Sequence, residues 1–259
     1  MTNRLIKIAE AEVGYVEKKN LADLEAKAKN AGDNNFTKYA QDLKNAIGAP
    51  FVNGVPWCVI FVDWCIYKTY GKEEAKKLLH RWTMSCGELR EAFKKAGAYY
   101  KDKPKQGDLV IFQKSNGNRH IGLIYKVDAN YIYTIEGNTS GKANTVIENG
   151  GGVFKKSYIK TYPYIDGYCR PAYPQPIEIA KPVLKRNKVN RIEEVKRLQR
   201  NLASLGFAGK DGRGLAVDGS FGVNTEYAVM QFQAKYGLEV DGSYGQNTYA
   251  QMVEVISGD

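Results

Sequence analysis

Histidine is scarce in this sequence, and its cysteines are not clustered. The 259 residues include two histidines and four cysteines, and no two cysteines form a CxxC pair. Zinc sites need a closer group of ligands, so these counts argue against a structural zinc. Four cysteines in a chain of this length also fall short of the dense disulfide frameworks of small secreted domains.

Long uninterrupted apolar runs are missing as well. Residues 1–19 carry apolar side chains at helical spacing, but charged residues interrupt them, so no secretory signal is recognisable. No run approaches the ~18 apolar residues of a membrane-spanning helix. We therefore expect a protein that is made in the cytoplasm without a signal peptide and does not bind a membrane.

Acidic residues are outnumbered by basic ones. The 38 lysines and arginines against 28 acids give a net charge of +10, and the sequence pI is about 9.2. Such an excess favours a polyanionic partner: nucleic acid, an anionic membrane or an anionic wall polymer. Nucleic-acid binding has no support beyond this charge, because no recognition helix or zinc finger is evident and the basic residues mix with acids. We therefore expect no nucleic-acid partner.

The apolar pattern changes from helical to extended along the first two thirds of the chain. Three segments have helical periodicity, namely 1–48, 57–70 and 86–96. Five later segments are rich in β-branched and aromatic residues and predict strands: 107–113, 121–127, 131–137, 152–154 and 167–173. Helices followed by an antiparallel sheet predict an α+β domain, which we place at residues 1–173.

A proline-rich segment and an internal repeat define the last third. Residues 171–182 contain four prolines and precede a basic run, which predicts a stiff linker over residues 174–190. Beyond it, 217-VDGSFGVNT-225 and 240-VDGSYGQNT-248 agree at seven of nine positions, and each joins an Asp-Gly turn to a threonine suited to cap the next helix. We predict a small all-α domain over residues 191–259. Its three helices are expected at 192–205, 224–236 and 246–256.

Cys58 is the candidate nucleophile because of where it stands. It follows Pro56 and Trp57 directly, at the start of the predicted helix 57–70. A cysteine attacks as the thiolate, and a helix N-terminus or a nearby imidazole lowers the pKa of a thiol. The backbone N–H of Cys58, unpaired in the first helical turn, can also bind a developing oxyanion.

We expect the imidazole to come from His120. If the hairpin pairs residues whose numbers add up to 258, His120 faces Asn138 and Gly122 faces Glu136. His120, Glu136 and Asn138 then project from one side of the sheet. A carboxylate or an amide beside an imidazole fixes its tautomer and its orientation.

The remaining cysteines and the second histidine have simpler interpretations. Cys86 and His80 form the only competing thiol–imidazole pair, and nothing in the sequence orients His80. Cys65 and Cys169 are expected to be buried in a helix and a strand. Taken alone, Cys58 would also be read as a small buried apolar residue.

Four motifs, in this order, resemble the CHAP domain, a papain-related cysteine hydrolase of bacterial cell walls. They are 54-GVPWCVIFVDW-64, 107-GDLV-110, 120-HIGLI-124 and 135-IEGN-138, and the resemblance extends over residues 5–173. It implies a papain-like fold in which N-terminal helices pack on an antiparallel sheet.

The same resemblance assigns roles to single residues. Cys58 would be the nucleophile, His120 the general base, Glu136 the group that orients the imidazole and Asn138 a supporting polar group. As in other papain-like enzymes, Asn138 could instead be the orienting group. Trp57 and Trp82 are candidate substrate contacts, with a place in the core as the alternative for each.

We expect neither a metal nor another cofactor. Some CHAP enzymes carry an acid-rich calcium loop just before the cysteine, but residues 48–57 contain no Asp or Glu.

The second predicted domain resembles the three-helix type of peptidoglycan-binding domain. The dipeptides Leu198-Gln199, Leu205-Gly206 and Phe232-Gln233 occur in the expected order. A CHAP-like domain followed by a wall-binding domain is similar to phage endolysins, which are released from the host cytoplasm to act on the cell wall. The resemblance implies a hydrolase of an amide bond in peptidoglycan, either an N-acetylmuramoyl-L-alanine amidase or an endopeptidase of the stem or cross-bridge. We expect a monomer, and the alternative function is a basic, non-enzymatic wall-adhesion protein.

Overall fold

The computed structural model describes residues 2–117, 119–141, 145–147, 149–174 and 179–257. The chain divides into two units, Met1–Pro174 and Gln175–Asp259. In these described ranges, no helix has the length and apolar character needed to cross a membrane.

Four helices form the N-terminal part of the first unit. Their bounds are α1 Thr2–Ala11, α2 Lys38–Ile47, α3 Cys58–Leu79 and α4 Cys86–Lys95. Two of them begin where a side chain satisfies a free backbone donor: Thr37 accepts a hydrogen bond from the N–H of Ala40 ahead of α2, and Ser85 accepts one from the N–H of Glu88 ahead of α4. The predicted helix over 86–96 corresponds to α4.

Helix α3 begins at the candidate nucleophile and is longer than the predicted helix 57–70. Gly71, at φ 77° and ψ 171°, interrupts the helical backbone inside it. The predicted end therefore marks a kink, which glycine permits, rather than a terminus. The predicted apolar face is at most 5% exposed and consists of Trp57, Ile60, Phe61 and Trp64.

Six antiparallel strands form one sheet beside these helices. Their bounds are β1 Tyr99–Tyr100, β2 Leu109–Gln113, β3 Arg119–Val127, β4 Tyr131–Thr139, β5 Gly152–Ile159 and β6 Ile165–Cys169. The order across the sheet is β1-β6-β2-β3-β4-β5. The predicted α+β class, with helices preceding an antiparallel sheet, is confirmed.

The pairing of β3 with β4 aligns the candidate catalytic residues. Leu123 lies opposite Ile135, so the numbers of this pair add up to 258, as predicted. Nearer the turn the prediction is wrong, because Val127 pairs with Ile132 instead of residue 131. A bulge between the two stretches adds one residue to β3 and restores the predicted alignment towards the site.

Gly137 in β4 allows α3 to approach the sheet closely. A Cβ atom at this position would lie 2.5 Å from the side chain of Phe61 and 2.9 Å from that of Trp57. Any larger residue would push the two elements apart. The contact holds the first turn of α3 against the strands that carry His120 and Glu136.

The second unit is helical, as predicted. Its helices are α5 Ile192–Ser204, α6 Val223–Lys235 and α7 Gln246–Ser257. They enclose a separate apolar core that includes Val195, Leu198, Leu202, Phe232, Tyr244 and Met252.

The two copies of the repeated sequence make the same contacts. In each copy a buried glutamine amide donates hydrogen bonds to the aspartate of the turn at 2.7 Å and to the threonine hydroxyl at 3.1 Å. The residues are Gln199, Asp218 and Thr225 in one copy and Gln233, Asp241 and Thr248 in the other. Each amide oxygen also accepts a hydrogen bond from the turn glycine at 2.9 Å.

The predicted capping role of the repeat threonine is wrong for Thr225. The residue before α6 is Gly222, which has no side chain to cap the helix. The hydroxyl of Thr225 instead donates to the carbonyl of Ser220 and accepts from Gln199. The threonine thus holds the turn to α5 and does not start the helix that follows.

Part of the predicted linker 174–190 is packed into the second unit. Ala180 and Leu184 are buried in its core. The N–H of Ala180 donates to Asn201 Oδ1 at 3.0 Å, and Leu184 forms an antiparallel bridge with Tyr244. The proline-rich composition predicts a stiff segment, but it does not reveal that these apolar side chains have a core to enter.

Candidate active site

Cys58 is the first residue of α3 and is 5% exposed. The preceding residue, Trp57, provides no side-chain cap, and the first turn contains no acidic residue. The partial positive charge of this helix start is therefore available to an anion.

His120 and Glu136 form a buried pair on neighbouring strands. His120 Nε2 lies 3.0 Å from Glu136 Oε2, and both side chains are fully buried. The other ring nitrogen, Nδ1, has no hydrogen-bond partner within the described part of the chain. Because Nε2 is held by the carboxylate, Nδ1 is the nitrogen that can exchange a proton with Cys58.

The carboxylate of Glu136 is itself held in place. Thr134 donates a hydrogen bond to Oε1, and Tyr158 donates one to Oε2 at 3.3 Å. The side chain lies over Gly122, where a Cβ atom would come within 2.8 Å of Glu136 Cγ. The missing side chain of Gly122 therefore leaves the space in which Glu136 reaches His120.

Charge interactions favour a thiolate and an imidazolium at this site. A hydrogen bond with Cys86 lowers the pKa of Cys58; burial opposes this, and interaction with His120 lowers the pKa further, so that it lies well below the ordinary thiol value. Burial lowers the pKa of His120, but the contacts with Cys58 and Glu136 outweigh burial and raise it to about 9. Each group thus stabilises the charged form of the other.

Asn138 is buried but does not take the orienting position. Its backbone lies in the left-handed region, at φ 55°, where the β4–β5 register shifts. Its Oδ1 accepts a hydrogen bond from the N–H of Gly151 at 3.3 Å. Of the two alternatives left by the sequence, the geometry thus places Glu136, and not Asn138, on the imidazole.

Cys86 lies next to the candidate nucleophile, a position that the sequence did not predict. Its sulfur lies 3.7 Å from that of Cys58. Both cysteines are the first residues of their helices, α4 and α3. The available signal was a cysteine at or next to the start of each of two predicted helices, 57–70 and 86–96, but nothing in the sequence shows that the two helix starts meet.

The other sequence candidates lie away from this chemistry. Trp57 is fully buried and donates its indole N–H to Glu17 at 2.7 Å, which is the core position given as its alternative. Trp82 is half-buried with its ring edge-on to Phe51. The ring of His80 packs on Phe93, and Cys86 interacts with Cys58, Cys169 and Arg119 instead of pairing with His80.

The two other thiols are core residues. Cys65 and Cys169 are fully buried, as expected, and burial raises the pKa of each well above the ordinary thiol value. Within the ranges that the structure describes, no three His, Cys, Asp or Glu side chains are grouped so that they could hold a metal ion.

Comparison with known protein families identifies both domains. The family model of the CHAP domain matches residues 50–138, which include Cys58, His120 and Glu136. The family model of a peptidoglycan binding domain matches residues 191–252. The chain therefore carries a CHAP domain followed by a peptidoglycan binding domain, the two-domain architecture that the resemblance to endolysins led us to expect. This pair of domains supports a general role as a cell-wall hydrolase.

Comparison with curated proteins finds no match. Among solved structures, "The crystal structure of Ly7917" matches with 14% identity and a TM-score of 0.39, over 66% of this chain and 62% of that one. A periplasmic domain of the EpsAB fusion protein of the Vibrio vulnificus type II secretion system matches with 15% identity and a TM-score of 0.24, over 65% of this chain and 60% of that one. The match thus spans less than two thirds of either structure, and at these TM-scores neither likeness defines the fold.

Proposed function

We propose that this protein is a peptidoglycan hydrolase that cleaves an amide bond, with Cys58 as the nucleophile and His120 as the general acid and base. The proposal rests on one observation above all: a thiol of lowered pKa stands at an uncapped helix start, beside an imidazole that a buried carboxylate holds. The CHAP match over these residues and the peptidoglycan match over 191–252 support the wall polymer as substrate.

The first half of the reaction transfers the acyl group to sulfur. The Cys58 thiolate attacks the carbonyl carbon of the amide, and the oxyanion that forms accepts a hydrogen bond from the backbone N–H of Cys58. His120, protonated at neutral pH because its pKa is about 9, gives its proton to the nitrogen as the C–N bond breaks. The amine leaves, and a thioester remains on Cys58.

The second half returns the enzyme to its starting state. His120, now neutral, takes a proton from water while the water oxygen attacks the thioester carbonyl. The C–S bond then breaks, releasing the carboxylic acid product and regenerating the thiolate and the imidazolium. Glu136 orients His120 in both halves and stabilises its positive charge.

The second unit would keep the enzyme on its insoluble substrate. Binding to the polymer raises the local concentration of cleavable bonds without taking part in the chemistry. The net charge of +10 favours association with anionic wall polymers and makes that association sensitive to salt.

Substitution of the nucleophile tests the proposal. We expect Cys58→Ala to lower the rate of clearing of purified cell walls by roughly 10³-fold or more, because the thiol forms the covalent intermediate. Cys65→Ala is the matched control, since it removes a buried thiol from the same helix. Equal clearing by Cys58→Ala and the parent would refute thiol catalysis. If the parent protein binds walls but does not clear them, the result would favour the non-enzymatic wall-adhesion protein.

The products distinguish the two amide specificities. Mass analysis of digested peptidoglycan should reveal new free N-termini: an L-Ala N-terminus identifies an amidase, and an N-terminus within the stem or cross-bridge identifies an endopeptidase. New reducing sugar ends without new N-termini would contradict amide cleavage altogether.

A further inference from the structure

The sulfur atoms of Cys58 and Cys86 lie close enough to share a hydrogen bond. Cys58 Sγ and Cys86 Sγ are 3.7 Å apart, within the range of a hydrogen bond between sulfurs, and both side chains are buried from water. We infer that Cys86 is a second catalytic residue, whose thiol donates a hydrogen bond to the thiolate of Cys58. The inference rests on the proposed role of Cys58 as the nucleophile.

The two helix starts differ in a way that sets the direction of this hydrogen bond. Ahead of α4, Ser85 already accepts the hydrogen bond from Glu88, and the acidic side chain of Glu88 lies in the first turn. The first turn of α3 has neither a side-chain cap nor an acidic residue. A negative charge is therefore more stable on Cys58, and the shared proton stays on Cys86.

The surrounding charged and titratable groups agree with this assignment. Cys58 interacts with His120, whose positive charge stabilises a thiolate, and with the buried Asp63 carboxyl. Cys86 interacts with Cys58, Cys169 and Arg119. The hydrogen bond with Cys58 and burial together raise the pKa of Cys86 well above its ordinary value, which keeps it a donor.

A thiol donor beside the nucleophile matters most when sulfur has to leave. In the breakdown of the thioester, the C–S bond breaks and its electron pair returns to Cys58 Sγ. A hydrogen bond from Cys86 stabilises that developing charge, because a group that leaves as a weaker base leaves faster. Cys86 keeps its own proton throughout, so no atom is transferred to it.

The experiment measures the ionisation of Cys58 directly. Iodoacetamide labelling of the full-length protein is followed on the Cys58 peptide by mass spectrometry as a function of pH. We expect Cys86→Ala to raise the midpoint of labelling by about one pH unit, since the thiolate loses a donor. Cys86→Ser retains a donor on a shorter bond and should give a smaller rise. Cys65→Ala removes a buried thiol elsewhere in α3 and should leave the midpoint unchanged.

Two results would overturn the inference. One is an unchanged midpoint in Cys86→Ala; the other is an equal rise in Cys65→Ala, which would point to general loosening of the core. Thermal unfolding of each variant checks that it is folded. If the alanine variant does not fold, Cys86→Val takes its place, because it fills more of the space without a donor, and an unchanged midpoint there refutes the donor. Labelling needs no wall substrate, so it tests the Cys86–Cys58 hydrogen bond separately from hydrolysis. Hydrolysis that survives Cys58→Ala would reject the proposed function, and with it the catalytic role of Cys86, whereas the labelling midpoint would still decide whether the hydrogen bond exists.

Discussion

At the scale of single residues, the geometry of the candidate site depends on one fully buried carboxylate. Glu136 is buried against His120 and is held by Thr134 and Tyr158. Its negative charge is one of the two contacts that raise the pKa of His120 to about 9 against the opposing effect of burial. The carboxylate therefore sets the pH at which the imidazolium is lost.

The first prediction concerns the pH profile of hydrolysis of soluble peptidoglycan fragments. Activity should rise as Cys58 ionises, below the ordinary thiol range, and fall as His120 loses its proton near pH 9. Glu136→Gln keeps the shape but removes the charge, so the pKa of His120 falls and the alkaline limb moves to lower pH. We also expect a loss of kcat/KM of about 100-fold.

An exposed carboxylate provides the matched control for this prediction. Glu10 pairs with Lys155 at the surface, and Glu10→Gln should leave both limbs in place. An alkaline limb that stays near pH 9 in Glu136→Gln would show that Glu136 does not set the charge of His120.

The order of motifs in the sequence pointed to Cys58, His120 and Glu136, which lie together in the structure, but it also pointed to Asn138, which does not hold the imidazole, and gave no sign of Cys86. Cys58 belongs to a helix start, and His120 and Glu136 follow from the pairing of two adjacent strands, which is a local relation. The choice between Glu136 and Asn138 needed side-chain contacts, since both residues have the same parity along β4. Cys86 could not be foreseen, because its neighbour is 28 residues away in a different helix.

At the scale of elements, two glycines determine how closely the parts of the site approach. Gly137 allows α3 to lie on β4, and Gly122 leaves room for Glu136. At Gly137 the space for a side chain is filled by Phe61, and at Gly122 it is filled by Glu136.

The second prediction tests the space above Gly122. A methyl group there would lie 2.8 Å from Glu136 Cγ and 3.2 Å from Thr134 Cβ. We expect Gly122→Ala to cost about 1–3 kcal/mol in free energy of unfolding and to reduce activity by displacing Glu136. Urea denaturation and hydrolysis of soluble fragments measure the two effects. Gly245→Ala is the control, because a methyl group at that site meets nothing within 4 Å; equal activity of the two variants would contradict the prediction.

The third prediction follows from the meeting of the α3 and α4 starts. Hydrogen peroxide should oxidise the Cys58 thiolate to a sulfenic acid, and the Cys86 thiol should then attack that sulfur and expel water. One peroxide is reduced to two waters overall, and the sulfurs move from 3.7 Å to the ~2.05 Å of a disulfide. Activity should be lost and then regained with dithiothreitol.

Peptide mapping and two variants check this outcome. The oxidised parent and Cys65→Ala should both yield a linked Cys58–Cys86 peptide, whereas Cys86→Ala should pass to irreversible sulfinic acid under prolonged peroxide. Absence of the linked peptide in the inactivated parent would show that the two sulfurs do not meet in solution.

Element boundaries were less predictable than element types. The periodicity of residues 57–70 predicts the first part of α3 but not its continuation beyond Gly71, because a kink and a terminus have the same local signal. The short connection between β3 and β4 suggested a tighter hairpin, and the bulge that corrects it depends on packing across the sheet. Thr225 has the residue type of a helix cap, but the buried Gln199 amide provides a different partner.

At the scale of the whole molecule, the residues of the CHAP domain match and those of the peptidoglycan binding domain match belong to separate cores. Among the residues that the structure describes, the core around Cys58 is formed by the first unit and the core around Phe232 by the second. We therefore expect a substitution that destabilises one core to impair either hydrolysis or wall binding and to leave the other unchanged.

The fourth prediction uses Gln233, which binds the second repeat turn through four hydrogen bonds. Gln233→Ala leaves buried groups without partners and should destabilise the second unit by about 2 kcal/mol or more. When Gln233→Ala is combined with Cys58→Ala, which prevents hydrolysis, the protein should be retained less on wall pellets than Cys58→Ala alone. The single variant Gln233→Ala should still hydrolyse soluble fragments at the parental rate. Gln246→Ala changes an exposed glutamine in α7 and should retain binding; a loss of soluble activity in Gln233→Ala would contradict the separation of the two roles.

Helix α6 takes part in both of the repeated glutamine–threonine contacts. Thr225 of α6 accepts a hydrogen bond from the Gln199 amide of α5. Eight residues later, the Gln233 amide of α6 donates a hydrogen bond to Thr248 in α7. Eight residues after Thr248 the corresponding position is Ile256, an apolar side chain that packs against the core. Helix α7 therefore accepts the glutamine contact from α6 through Thr248 but has no glutamine at position 256 to make the same contact with a following turn. The repeated contact runs from each helix to the next one along the chain, and the residue type at position 256 does not continue it.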